Sequence, residues 1–177
     1  MSDELTNPLL QQTQDKIENQ LTPENQQNYT KIVVAGMHAG LLGGPKSILA
    51  SLKQSQDPVA DAAKGAVSLV LILRRHAKGV MPGRAMVPAA MTLMLKALDF
   101  IDRAKIVRIG QPELVRATHL FSDEMFKAFG ITKQGIVHAG QRVYAMTQDP
   151  EKMAAIRLKA GVTRHPMAAT PTLPGVV

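Results

Sequence analysis

The stretch GAVSLVLIL, residues 65–73, constrains this chain more than any other, because nine successive residues carry no charge and leave no polar stripe. A helix of that kind needs burial on every side, in a domain core or in lipid. At a rise of about 1.5 Å per residue it covers about 14 Å, half of the roughly 30 Å of bilayer hydrocarbon. The other uncharged runs, Ile32 to Pro45 and Ala85 to Leu95, are also short, so no one segment crosses a membrane alone.

Asp57-Pro58 opens the helix that holds this stretch, with a capping carboxylate and a proline at the first helical position. Val59, Ala63, Ala66, Val67, Val70 and Leu73 recur at helical spacing. The helix ends in Arg74-Arg75-His76-Ala77-Lys78-Gly79, with cations at the negative end of the dipole and Gly79 at the C′ position. Val87-Pro88 opens a second helix with Met91, Met94, Leu95, Leu98 and Ile101 on one side and Lys96, Asp99, Asp102 and Arg103 on a polar side. Together they predict a helical hairpin over residues 57–103, its arms antiparallel because the connection is short. Arg84 lies just past the turn, so Arg74, Arg75, Lys78 and Arg84 crowd one tip. Helix-end electrostatics explains most of these charges, and a phosphate or lipid headgroup is the functional alternative.

Flanking segments carry the same signals. Asn7-Pro8 caps a first helix whose stripe, Leu10, Ile17 and Leu21, is so narrow that residues 1–22 read as a polar arm docking on something else. Thr22-Pro23-Glu24 starts a helix with Tyr29, Ile32, Val33, Gly36, Met37, Gly40 and Leu41 on one face, ended by Gly43-Gly44-Pro45. Gly36 and Gly40 form a small-xxx-small pair that implies close approach of another helix, within the chain or from a second copy. Ile48, Leu49 and Leu52 suit a short connecting helix. Pro112 begins a helix with Leu114, Val115, Phe121, Met125, Ala128 and Phe129 inward, and Phe121, Phe126 and Phe129 are expected to supply the core of the second half. Thr132 and Asp149-Pro150 each start a further helix. The expected fold is therefore all-α: about seven helices in an antiparallel bundle around the central apolar hairpin. Residues 23–161 form the body and 162–177 an extended, proline-containing tail.

Composition narrows the chemistry. Without cysteine there is no disulfide, thiolate metal site or cysteine nucleophile. His38, His76, His119, His138 and His165 lack metal-ligand spacing, and no G-x-S-x-G elbow occurs. The run from Gly40 to Ser47 has Pro45 where a phosphate loop needs glycine. Asp99, Asp102, Asp123 and Glu124 read as solvated carboxylates on polar helix faces. No catalytic residue, cofactor or metal is assigned, and a helical enzyme with an unrecognised site stays as a minor alternative. The net charge of +7 is uneven: residues 1–30 hold five acids and one lysine, leaving 20 bases and 9 acids for residues 31–177. Such a body favours polyanions, whether nucleic acid, anionic membrane or acidic protein, and it also favours solubility. The acidic, polar start lacks a secretory signal pattern, which predicts synthesis in the cytoplasm.

A Gln/Asn-rich acidic start (LLQQTQDKIENQLTPENQQN), an Ala/Met/Gly-rich helical body without Cys or Trp, and the tail HPMAATPTLPGVV resemble the small structural proteins of tailed-bacteriophage virions. The apolar hairpin resembles those of the internal or ejection type. That resemblance covers composition and transfers no residue. It implies a non-enzymatic, homo-oligomeric virion subunit that contacts other virion proteins and contributes to a genome-delivery conduit in the host envelope. A basic nucleic-acid-binding module is the alternative.

Overall fold

The computed structural model describes residues 4–41, 48–78 and 80–132, together with 134, 135, 137, 138 and 141. The protein is all-α: no strand occurs among the described residues. The chain divides into two compact units, residues 1–130 and 131–177. Within the second, the Gly135 N–H donates to Thr132 Oγ1 at 3.1 Å, and residues 134, 135, 137, 138 and 141 are helical. The turn expected at Gly43-Gly44-Pro45, Gly79, the helix expected from Asp149 and the tail 162–177 fall outside the described residues.

The first unit holds six α-helices among the described residues: α1 (Pro8–Asn19), α2 (Pro23–Gly36), α3 (Ile48–Leu52), α4 (Pro58–His76), α5 (Gly83–Arg103) and α6 (Gln111–Ala128), with a π-helical turn at Met37–Leu41 extending α2. Two predicted caps form as expected. Asn7 Oδ1 accepts the Leu9 N–H at 3.0 Å, and Asp57 Oδ1 accepts the Ala60 N–H at 3.2 Å. Thr22 makes no such bond; its hydroxyl instead accepts from Asn25 Nδ2 at 2.8 Å. At α6 the Glu113 carboxylate reaches back to the Gly110 N–H at 2.9 Å. The helix expected from Val87-Pro88 begins earlier, at Gly83, and carries Pro88 inside it.

Packing follows from which helices touch. α4 contacts both α5 and α6, and α2 lies chiefly on α5. Arg116 in α6 pairs with Asp57 at the start of α4, and Phe129, just past α6, meets Arg74 in the last turn of α4. α6 therefore runs parallel to α4, whereas the short connection makes α5 antiparallel to both. The shared core is rich in alanine, including Ala62, Ala63 and Ala66 of α4 and Ala85, Ala89, Ala90 and Ala97 of α5. Small side chains leave room for Leu93, Met94, Leu95 and Leu98, all fully buried.

Two expectations change. α4 is not buried all round: Asp61, Lys64, Ser68, Ile72 and Arg75 form an exposed stripe at helical spacing. Ser68 and Ile72 occupy the solvent positions that charged residues hold a turn earlier, which is why the stripe was invisible in a run without charge. In α6 Phe121 is buried, but Val115, Phe126 and Phe129 are exposed. Five residues after Phe121, at 100° each, Phe126 has turned about 140° from the face Phe121 buries, whereas Phe129 lies just past the end of the helix, at its C-cap.

The arm finds its partner inside the chain. α1 packs on α5, burying Leu10 completely. Asp99, expected on a solvated face, is 5% exposed and accepts the N–H groups of Thr6 and Asn7 at 2.8 and 2.9 Å. Its neighbour Asp102 takes Asn7 Nδ2 at 2.7 Å and the Ile109 N–H at 3.0 Å, so one acidic turn fixes both the start of α1 and the loop before α6. At the other end of α1, Glu18 accepts from Gln14 Nε2 and from the Tyr29 hydroxyl, each at 2.9 Å. The Tyr29 oxygen also lies 2.9 Å from Thr92 Oγ1 in the core. With its one proton given to Glu18, Tyr29 accepts from Thr92. A narrow apolar stripe is thus supplemented by polar anchors at both ends of the helix.

Candidate functional site

The four cations singled out from the sequence lie at one end of the α4–α5 hairpin. Arg74 and Arg75 belong to the last turn of α4, Lys78 to the turn beyond it and Arg84 to the first turn of α5. Arg75, Lys78 and Arg84 are exposed. Among the described residues, no carboxylate pairs with any of the four. Arg74 is held differently: its guanidinium carbon stands 5.5 Å from the centre of the Phe129 ring, a cation–π distance.

Helix-end electrostatics divides the set. Arg74, Arg75 and His76 face the negative end of the α4 dipole, which accounts for them structurally. Arg84 sits at the positive end of α5, where the dipole opposes a cation, and no acidic residue occupies that first turn. Lys78 takes a left-handed conformation (φ 50°) directly after the Ala77 C-cap, which ends α4 and places a lysine where glycine is favoured.

Apolar side chains share this end. Val80 is 81% exposed, Ile72 47%, Phe126 40% and Phe129 38%. Sequence reasoning assigned Ile72 and the two phenylalanines to the core. A signal for Phe126 was present in its angular offset from Phe121; for Phe129 there was none, and the Arg74 contact was beyond sequence.

Gly36 and Gly40 lie elsewhere, on α2 and the π-helical turn. A Cβ on Gly36 would stand 2.5 Å from Leu93 Cδ1, and one on Gly40 would stand 2.5 Å from Leu69 Cδ1. The close approach they permit is made by leucines of the same chain. Of the two alternatives drawn from the sequence, the helix-packing contact is thus made within the chain.

Asp57 and Arg116 form an ion pair in which Arg116 Nη1 donates to Asp57 Oδ1 at 3.1 Å and the second guanidinium nitrogen donates to Oδ2. The guanidinium holds the Asp57 carboxyl below the usual aspartate range. The pair joins α4 to α6 and lies at the opposite end from the cationic tip. Among the described residues, no group of three His, Asp, Glu or Cys side chains could hold a metal ion. No helix among them is long and apolar enough to cross a membrane.

No family model, curated protein or solved structure matches this chain.

Proposed function

We propose that the chain is a non-enzymatic helical subunit that works by presenting the cationic end of the α4–α5 hairpin to a polyanion. The observation that carries this reading is Arg84, an exposed cation set against the α5 dipole, without a carboxylate partner among the described residues and beside Arg75 and Lys78 in sequence. Its setting in this reading is a tailed-phage virion of the ejection type, supported by compositional resemblance. There it would be an oligomer in contact with other virion proteins, made in the host cytoplasm and delivered to the host envelope. Self-association would use surfaces other than Gly36 and Gly40, since Leu93 and Leu69 cover them. A nucleic-acid-binding role through the same cations is the second reading, supported by Phe126 and Phe129, since aromatic rings beside cations suit base stacking.

Binding to duplex DNA and to vesicles containing anionic phospholipid, measured at low and moderate salt, tests the reading. Binding to at least one polyanion, weakened by salt and removed by Arg75→Glu combined with Arg84→Glu, is the expected result. A protein that binds neither at low salt refutes it.

A further inference from the structure

We infer that the polyanion is the surface of an anionic bilayer, on which this end of the molecule lies with Val80 entering the headgroup region. The inference rests on the polyanion reading and names its partner. Three elements deliver apolar groups to the end where the cations are. Ile72 shares the exposed stripe of α4 with Arg75, Val80 stands in the turn itself, and Phe129 is tied to the end of α4 through Arg74. Phe126 lies three residues before Phe129 on α6.

Single exposed apolar residues are ordinary on any protein. Their concentration beside Arg75, Lys78 and Arg84, cations with no carboxylate partner among the described residues, is what selects a partner. Phosphates of a nucleic acid would engage Arg75, Lys78 and Arg84 but offer nothing to the aliphatic side chains of Val80 and Ile72. A lipid interface satisfies both groups, because aliphatic side chains leave water while the long cationic side chains keep their charges at the headgroup level. The arrangement also fits the absence, among the described residues, of a helix able to span the bilayer. Contact is then peripheral.

The chain has no tryptophan, so Val80→Trp creates a single tryptophan at the tip, excited selectively over the two tyrosines. Vesicles of phosphatidylcholine alone, vesicles with added phosphatidylglycerol, and duplex DNA serve as probes. A blue shift of Trp emission with the anionic vesicles, and none with phosphatidylcholine alone, is expected. Val80→Ser should weaken vesicle binding by roughly tenfold if most of the valine surface is withdrawn from water. Arg84→Gln should weaken it about fivefold, the equivalent of ~1 kcal/mol per cation near an anionic leaflet. DNA binding without vesicle binding overturns the lipid inference and leaves the polyanion reading standing. Vesicle binding with unshifted Trp emission overturns the insertion of Val80, and binding to neither probe overturns both.

Discussion

Leu69 of α4 fills the space that a side chain on Gly40 would need, its Cδ1 atom lying 2.5 Å from where the Cβ would stand. Gly36 and Leu93 repeat the relationship one turn earlier, between α2 and α5. Leu93 is fully buried and Leu69 nearly so, which leaves them little room to yield. Alanine at either glycine gains about 1 kcal/mol of helix propensity but forces overpacking that costs typically 1–3 kcal/mol. We expect Gly40→Ala to lower stability, and a double-mutant cycle with Leu69→Ala to show that the two changes together cost less than their sum. Chemical denaturation of the four proteins measures this, and additive effects would contradict the contact.

Asp99 is the second test. Asp99→Asn keeps the shape but removes the charge that holds the Thr6 and Asn7 N–H groups, and should cost about 1–2 kcal/mol. Its mark is local: amides of α1 should exchange with solvent faster relative to those of α4. Uniform loss of protection throughout both helices would argue against a specific anchor.

The Asp57–Arg116 pair makes a prediction in pH. Because Arg116 depresses the folded-state pKa of Asp57 from its ordinary value of 3.8, the pair stabilises the fold above that value. The contribution is lost as pH falls through the lower folded-state pKa. The group is 41% exposed, so solvent screening keeps the pair's worth within about 1 kcal/mol. Stability measured from pH 6 down to 2 should fall less steeply below pH 4 in Arg116→Ala than in the parent. Asp57→Ala should be worse than Arg116→Ala at neutral pH, because it also removes the α4 cap, worth about 1 kcal/mol.

Lys105, past the end of α5, has a φ of 56°, where a Cβ is unfavourable. Lys105→Gly should therefore stabilise the protein by up to about 1 kcal/mol, the strain released outweighing the extra freedom of the unfolded chain. Thermal unfolding reads this as a small rise in Tm. A fall would show that the lysine side chain supplies a compensating contact.

Local signals were legible and distant ones were not. Asn7-Pro8 and Asp57-Pro58 announce helix starts because a cap acts within three residues. Thr22-Pro23 announces one equally well, yet its hydroxyl serves Asn25, so the letter that marks a boundary does not dictate the bond made there. Asp99 looks like any carboxylate on a polar face until the arm, 92 residues earlier, is laid against it. Phe129 reads as core by helical spacing and proves to be exposed, at the C-cap just past the end of α6. At the cationic tip the residues themselves were visible, as was the dipole argument for Arg74 and Arg75. That Arg84 contradicts the same argument required knowing that α5 begins at Gly83 rather than at Val87.

The anchoring of Asn7 by Asp99 sets a clock on the ribosome. Translation at about 5–20 residues per second leaves an interval on the order of 5–20 s between the synthesis of Asn7 and that of its anchor. A free helix of twelve residues is marginal in water, so nascent α1 has no stable structure to wait in. Its docking is a late event of synthesis, and during that interval the surface of Leu10 is open to whatever chaperone or neighbouring chain is at hand.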